Sequence, residues 1–269
     1  MKYDLHLYHR FLDEAGDTTF YGKGKNVILG DEGVSKAFIL GIVKFKEPLD
    51  VVRSRIRILQ QEVVNDPYFI DDTRIQKRIV KSGFYFHASN DRPEVRKIFF
   101  EYIKSVDCSA EVIVGRKILE IYNTKHRGVE TEFYADLLSH ILKSKLNLPK
   151  LVLNIAERGD STKNRTLQFA LHKAIERKTK SGKAIQSERS INFNVQNHIQ
   201  EPLLNIADYI CWAVQKVFEK GDIAAYNYIQ EKISLVIDVY DSKNYENHQN
   251  FYRRGRKLTA ENKISPLIH

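Results

Sequence analysis

Apolar positions along the chain recur in two rhythms. Ala37–Phe45 (AFILGIVKF), Ala110–Lys117 and Leu151–Ala156 are short apolar runs with the length of buried strands, and Ile191–Val195 alternates as a half-exposed strand does. A first strand is expected at Leu5–Leu12, ending in Asp13. Elsewhere apolar residues return every three or four positions. After Pro48, which suits a first helical turn, Val51, Val52, Ile56, Leu59, Val63 and Val64 predict a helix to Asn65. Ser89-Asn90-Asp91 caps a helix over Pro93–Ser105. Glu130–Lys145 carries Phe133, Leu137, Leu138, Ile141 and Leu142 on one face and stops at Pro149. Ser161 or Thr162 caps a helix to about Lys178, Glu201–Lys220 is a long helix, and Ile223–Tyr240 reads as another. Gly83–Ala88 reads as a short strand, Asp66–Gly83 is polar and ambiguous, and Thr179–Glu188 reads as a charged loop.

Three early strands followed by strands alternating with helices predict an α/β protein whose meander gains parallel partners. That is the element order of the ribonuclease H-like fold: a mixed sheet of about five strands flanked by helices, with a helical insertion at 47–107 between strands two and three. Another mixed α/β topology is the alternative. One domain over 1–240 is expected, with 241–269 as a basic, polar, loosely held tail.

Composition narrows the class. Of 269 residues, 42% are hydrophobic and 29% charged, as in ordinary globular proteins. No apolar run approaches a membrane span and the first residues lack a signal-peptide core, so a cytoplasmic protein is expected. Cys108 and Cys211 have no metal or redox spacing and read as buried thiols. The net charge of +9 favours a polyanionic partner.

Three segments carry candidate chemistry. In Phe11-Leu12-Asp13-Glu14-Ala15-Gly16-Asp17 an apolar strand runs into acids, and an acid at a strand end is costly unless paired or metal-bound. Asp208 interrupts a strongly apolar helix and shares a side with Glu201, Asn205 and Trp212. Leu151–Ala156 ends in Glu157, Arg158 and Asp160. Hard divalent cations take such oxygen ligands, and paired ions cleave phosphodiesters. The plain alternatives are solvated turn acids at Glu14 and Asp17, and an internal ion pair at Asp208. Lys117 can meet phosphate or simply end a strand; His87 can be a site residue or a core histidine. Trp212 reads as core more readily than as a stacking platform, and Arg253-Arg254-Gly255-Arg256-Lys257 is either a phosphate-tracking patch or a solvated end. No GxxxxGK[ST] loop, CxxC, HExxH or GxSxG pattern occurs.

At these residues the sequence resembles a bacterial family of unknown function, domain-of-unknown-function 3800 (DUF3800). Asp13-Glu14-Ala15-Gly16 matches its opening pattern. Asn205-Ile206-Ala207-Asp208-Tyr209 with Trp212-Ala213 matches its closing one, Asn205 replacing the usual Gln. Phe86-His87, Asp91, Pro93-Glu94-Val95-Arg96, the Lys117 strand end and Phe133-Tyr134 also look familial. The resemblance implies a ribonuclease H-like nuclease using Mg²⁺ or Mn²⁺ on RNA or DNA, in phage defence or mobile-element biology. Asp13, Asp208 and Glu157 would be the metal ligands and, with Glu14, the catalytic acids; Lys117, Arg158 and His87 would meet the nucleic acid. Asn154 departs from the pattern, because such enzymes often place an acid in the middle of strand four. A non-catalytic nucleic-acid- or protein-binding module on the same fold is the rival expectation.

Overall fold

The computed structural model describes residues 7–182 and 190–265. Its strands are β1 (Tyr8–Ala15), β2 (Ala37–Phe45), β3 (Cys108–Arg116), β4 (Lys150–Ala156), β5 (Ser190–Gln196), β6 (Ile233–Asp238) and β7 (Phe251–Tyr252). They form one sheet in the order β5-β4-β1-β2-β3-β6-β7. β1, β2 and β3 make an antiparallel meander. β4 runs parallel to β1, β5 parallel to β4 and β6 parallel to β3, while β7 closes the far edge antiparallel. The first five strands thus take the order expected above, and the α/β architecture is compatible with the ribonuclease H-like fold.

Between β2 and β3 lie the three insertion helices, α1 (Leu49–Asn65), α2 (Thr73–Ser82) and α3 (Pro93–Ser105). The later helices are α4 (Leu119–Lys125), α5 (Glu130–Lys145), α6 (Asn164–Lys180), α7 (Leu204–Lys220) and α8 (Ala224–Ile229). Two cores flank the sheet. Phe11, Ile39, Val112 and Val114 pack with α7 and the insertion; Leu12, Leu40, Ile113 and Leu153 pack with α5 and α6. A central strand covered on both faces reads as the unbroken apolar run seen in β2. Gly41 lies opposite Asp13 in the ladder, and a Cβ there would stand 2.4 Å from Cys211 Sγ. The missing side chain lets α7 settle against β1 and β2, which brings Asp208 down to the sheet.

Several expectations need correction. The predicted helix Ile223–Tyr240 ends at Ile229, and Ile233–Asp238 is a sixth strand. A short buried apolar run beside β3 has no periodicity to tell strand from helix. The sheet therefore has seven strands rather than about five. Gly83–Ala88 is not a strand; its amides are bonded by side chains of α7. Asp72 caps α2 inside the segment left ambiguous, and α4 was not anticipated. Among the described residues β1 begins at Tyr8, and it continues through Asp13 and Glu14. The opening residues of that predicted strand, and 183–188 of the charged loop, lie outside the described residues. The segment after 240 is not loose over its described length: Tyr252, Leu258 and Ile264 are buried, and the Ile264 amide donates to the Phe218 carbonyl at 2.8 Å. No helix among the described residues is long and apolar enough to cross a membrane.

Candidate functional site

The carboxyl ends of β1 and β4, the turn before α7, the first turns of α7 and the 85–89 segment enclose a cleft of about 470 Å³. Asp13, Glu14, Glu157, Arg158, His87 and Asp208 all line it.

Asp13 and Glu14 are consecutive strand residues and face opposite sides. Asp13 shares the α7 face with Phe11; Glu14 shares the α5–α6 face with Leu12. Both reach the cleft because it opens around the strand's end. Asp13 is buried, and its Oδ2 lies 2.7 Å from His198 Nε2. Its carbonyl accepts the Cys211 thiol at 3.3 Å. Burial opposes the charged form of His198, but the charge and hydrogen bond of Asp13 outweigh it and hold the imidazole above its ordinary pKa. Tyr85 stacks on the His198 ring at 5.3 Å.

Glu14 pairs with Arg158 Nη1 at 2.9 Å, while its Oε2 is buried without a partner. Burial and then the charge of Asp13 push this carboxyl up to about 7, against the pull of Arg158. Arg158 also donates to the Gly16 carbonyl at 3.3 Å and lies over the Phe38 ring. Gly16 sits at φ +89°, and a Cβ there would stand 2.5 Å from the Ala37 carbonyl, so only glycine turns the chain this tightly past the cleft.

Asp208 Oδ2 accepts the Ala88 amide at 2.7 Å, and its Oδ1 is 3.7 Å from His87 Nδ1. Burial first, and the charge of Asp13 second, hold its carboxyl well above the usual range. Burial and the neighbouring His198 lower the pKa of His87. One turn earlier on α7, the buried Asn205 accepts the Phe86 amide at 3.1 Å and the Gln60 amide at 3.2 Å, and donates to the His198 carbonyl at 3.2 Å. Tyr209 reaches Asp91 at 2.6 Å, and Asp91 accepts the His87 amide at 2.8 Å. Asn205, Asp208 and Tyr209 of α7 therefore hold both histidine-bearing segments in place.

Other expected residues stand differently. Lys117 does not line the cleft. It is buried, and its ammonium lies 2.7 Å from Asp17 Oδ1 and 5.4 Å from the Phe20 ring centroid. A buried ammonium needs that partner, so Lys117 stands in an ion pair with Asp17 at the end of β3, away from the cleft where a phosphate contact was expected. Asp17 also accepts the Ser35 amide and hydroxyl at 2.8 and 2.7 Å, which closes the β1–β2 connection. Asn154 donates to the Arg10 carbonyl and accepts from Asn194 on the neighbouring strand, outside the cleft lining. Glu157 lines the cleft but is exposed. Trp212 is half-buried at the cleft wall, with Arg96 over its ring at 5.1 Å. The 253–257 basic run makes a tight bridge between Arg253 and Arg256 and does not line the cleft.

His198 was missed. It sits in a polar turn, Asn197-His198, with nothing in its neighbourhood to mark it; its role comes from a partner on β1. Among the described residues no three His, Cys, Asp or Glu side chains are already gathered closely enough to hold a metal ion. What is formed is two His–Asp pairs, His198 with Asp13 and His87 with Asp208. The two rings stand 6.4 Å apart between centroids. The orphaned Glu14 Oε2, and the burial and then the charge of Asp13 that lift Glu14 and Asp208, describe a cluster short of positive charge, which a divalent cation fits. Comparison of the chain with family models, with curated proteins and with solved structures finds no match.

Proposed function

We propose that the protein is a divalent-metal-dependent nuclease that hydrolyses phosphodiester bonds of RNA or DNA inside the bacterial cell. The observation that carries this reading is the convergence of acids from separate elements on one cleft: Asp13 and Glu14 at the end of β1, Glu157 after β4 and Asp208 on α7. The net charge of +9 and the DUF3800 resemblance at Asp13-Glu14-Ala15-Gly16 and Ala207-Asp208-Tyr209 support it.

Asp13 and Asp208 would hold Mg²⁺ or Mn²⁺, with Glu157 supplying a carboxylate from the β4 side. When bound, such an ion supplies positive charge against the developing phosphoryl charge and acidifies an attacking water. The chain's own residues do the positioning. Arg158 neutralises Glu14 and presents its guanidinium at the cleft wall, where it would steady a phosphate. The Ala88 amide fixes one Asp208 oxygen and leaves the other facing His87.

The test is a cleavage assay on single- and double-stranded RNA and DNA with millimolar Mn²⁺, alongside thermal unfolding with and without the metal, for wild type and Asp208→Asn. Asparagine keeps an acceptor for Ala88, so the fold should persist. The expected result is cleavage and a metal-dependent rise in Tm for wild type, both lost in the variant. Full cleavage by Asp208→Asn sinks the assignment. A non-catalytic nucleic-acid-binding module is the second reading. It is favoured by Asn154 and by Asp208 already spending one oxygen on a backbone amide, and nucleic-acid binding with no cleavage and no metal shift in wild type would select it.

A further inference from the structure

We propose that His198 and His87 are ligands of the same cation as Asp13 and Asp208, so that the cleft is a mixed imidazole–carboxylate centre selecting first-row transition ions over Mg²⁺. This rests on the metal-dependent reading of the cleft and adds the class of ion it takes.

The geometry lies in the spacing of the two His–Asp pairs. His87 Nδ1 and Asp208 Oδ1 face each other at 3.7 Å, beyond hydrogen-bond reach. Two donors on one ion with bonds of about 2.1 Å stand roughly 3.0–3.6 Å apart for angles between 90° and 120°. The His87–Asp208 spacing lies just beyond that range and needs to close by about 0.1 Å for an angle near 120°. His198 Nε2 and Asp13 Oδ2, hydrogen-bonded at 2.7 Å, need to open by roughly 0.3–0.9 Å, a small side-chain rotation. Ser89 Oγ, 3.1 Å from His87 Nδ1, is exposed and can rotate away.

The His198 ring and the His87 backbone are held by contacts that a cation would not disturb. Tyr85 stacks on His198 with 14° between planes, and Asn205 fixes the His198 carbonyl. Asp91 fixes the His87 amide and is itself tied to Tyr209. Such outer contacts orient ligands before the metal arrives.

The donor chemistry then decides the ion. Mg²⁺ prefers an all-oxygen shell and keeps its waters. Two imidazoles beside two carboxylates instead follow the order in which affinity rises from Mn²⁺ through Co²⁺ towards Cu²⁺.

The experiment is calorimetric titration of the full chain with MgCl₂, MnCl₂ and CoCl₂, with the visible absorption of bound Co²⁺ as a second readout, for wild type, His198→Gln, His87→Gln and Asp13→Asn. The expected result is Co²⁺ binding at least tenfold tighter than Mg²⁺ in wild type. Each histidine variant should weaken Co²⁺ at least tenfold, alter its absorption spectrum and change Mg²⁺ affinity by less than threefold. Histidine variants that bind Co²⁺ as wild type does, while Asp13→Asn does not, overturn the inference and leave the nuclease reading standing. A wild type that binds none of the three ions overturns both.

Discussion

His198 Nε2 stands 2.7 Å from Asp13 Oδ2 although 185 residues separate the two in sequence. The pair joins the end of the first strand to the turn that launches α7. The charge of Asp13 is also what keeps His198 easily protonated inside a largely buried site. Replacing Asp13 with Asn leaves burial as the dominant influence. The expectation is that the His198 pKa then falls below 6.5, its ordinary value. NMR titration of the imidazole protons in wild type and Asp13→Asn checks this, and an unchanged His198 midpoint would mean the pair does not persist in solution.

Asn205 ties three chain segments together with one carboxamide. Substitution by Leu strands the buried Phe86 amide and the His198 carbonyl, at about 1–3 kcal/mol for each unsatisfied group. A loss of about 2–4 kcal/mol in urea unfolding is expected, together with weaker Mn²⁺ stabilisation, because the histidine-bearing turn loses its anchor. A loss under about 1 kcal/mol would show that water replaces the bridge.

How much of this was legible in the sequence depended on whether the cause was local. β2, α3 and α5 follow from runs and stripes that alternate between core and solvent over a few residues, and their predicted ends match those observed. Asp13 and Asp208 stood out because a carboxylate amid apolar neighbours must have a partner. β6 did not stand out, since its strand character comes from lying beside β3. The pairing of Lys117 was not legible because its partner, Asp17, lies 100 residues earlier in a turn that only the folded chain brings near. His198 was invisible for the same reason.

Acid stability should carry the signature of a half-buried histidine outside the cleft lining. His140 on α5 is held down to about 3 by burial and then by Arg177. The unfolded chain takes up that proton near 6.5, so between pH 6.5 and 3 it binds more protons than the folded chain, and stability falls as pH falls. His140→Leu should flatten this limb, and the difference between wild type and variant should shrink back above pH 7. Asp136, hydrogen-bonded to Arg177 and Tyr240, acts below this window. The His126 hydrogen bond first, then the charges of Arg177 and Lys125, hold its carboxyl far below the usual range despite burial, so its contribution is present above about pH 4 and is lost only in stronger acid. Urea unfolding from pH 3.5 to 8 separates the two, and parallel curves for wild type and His140→Leu would exclude the histidine as the cause.

The Glu14–Arg158 pair predicts a mutational cost that depends on pH. Folded Glu14 titrates at about 7, above the 4.5 of an ordinary glutamate. Between these values the folded chain binds more protons, so this residue lowers stability as pH rises through the window. Arg158 limits the effect by favouring the carboxylate. Arg158→Met removes that help and leaves a buried charge unpaired, which costs about 3–5 kcal/mol when the charge is retained. At pH 9 most of that loss is expected. At pH 5.5 Glu14 already carries its proton and the loss should be much smaller. Adding Glu14→Gln should recover most of the stability lost at pH 9. Urea unfolding of the two single variants and the double variant at both pH values measures the coupling. Equal losses at pH 5.5 and 9 would assign the contribution of Arg158 to its packing on Phe38, 4.9 Å from guanidinium to ring centroid, rather than to the charge of Glu14.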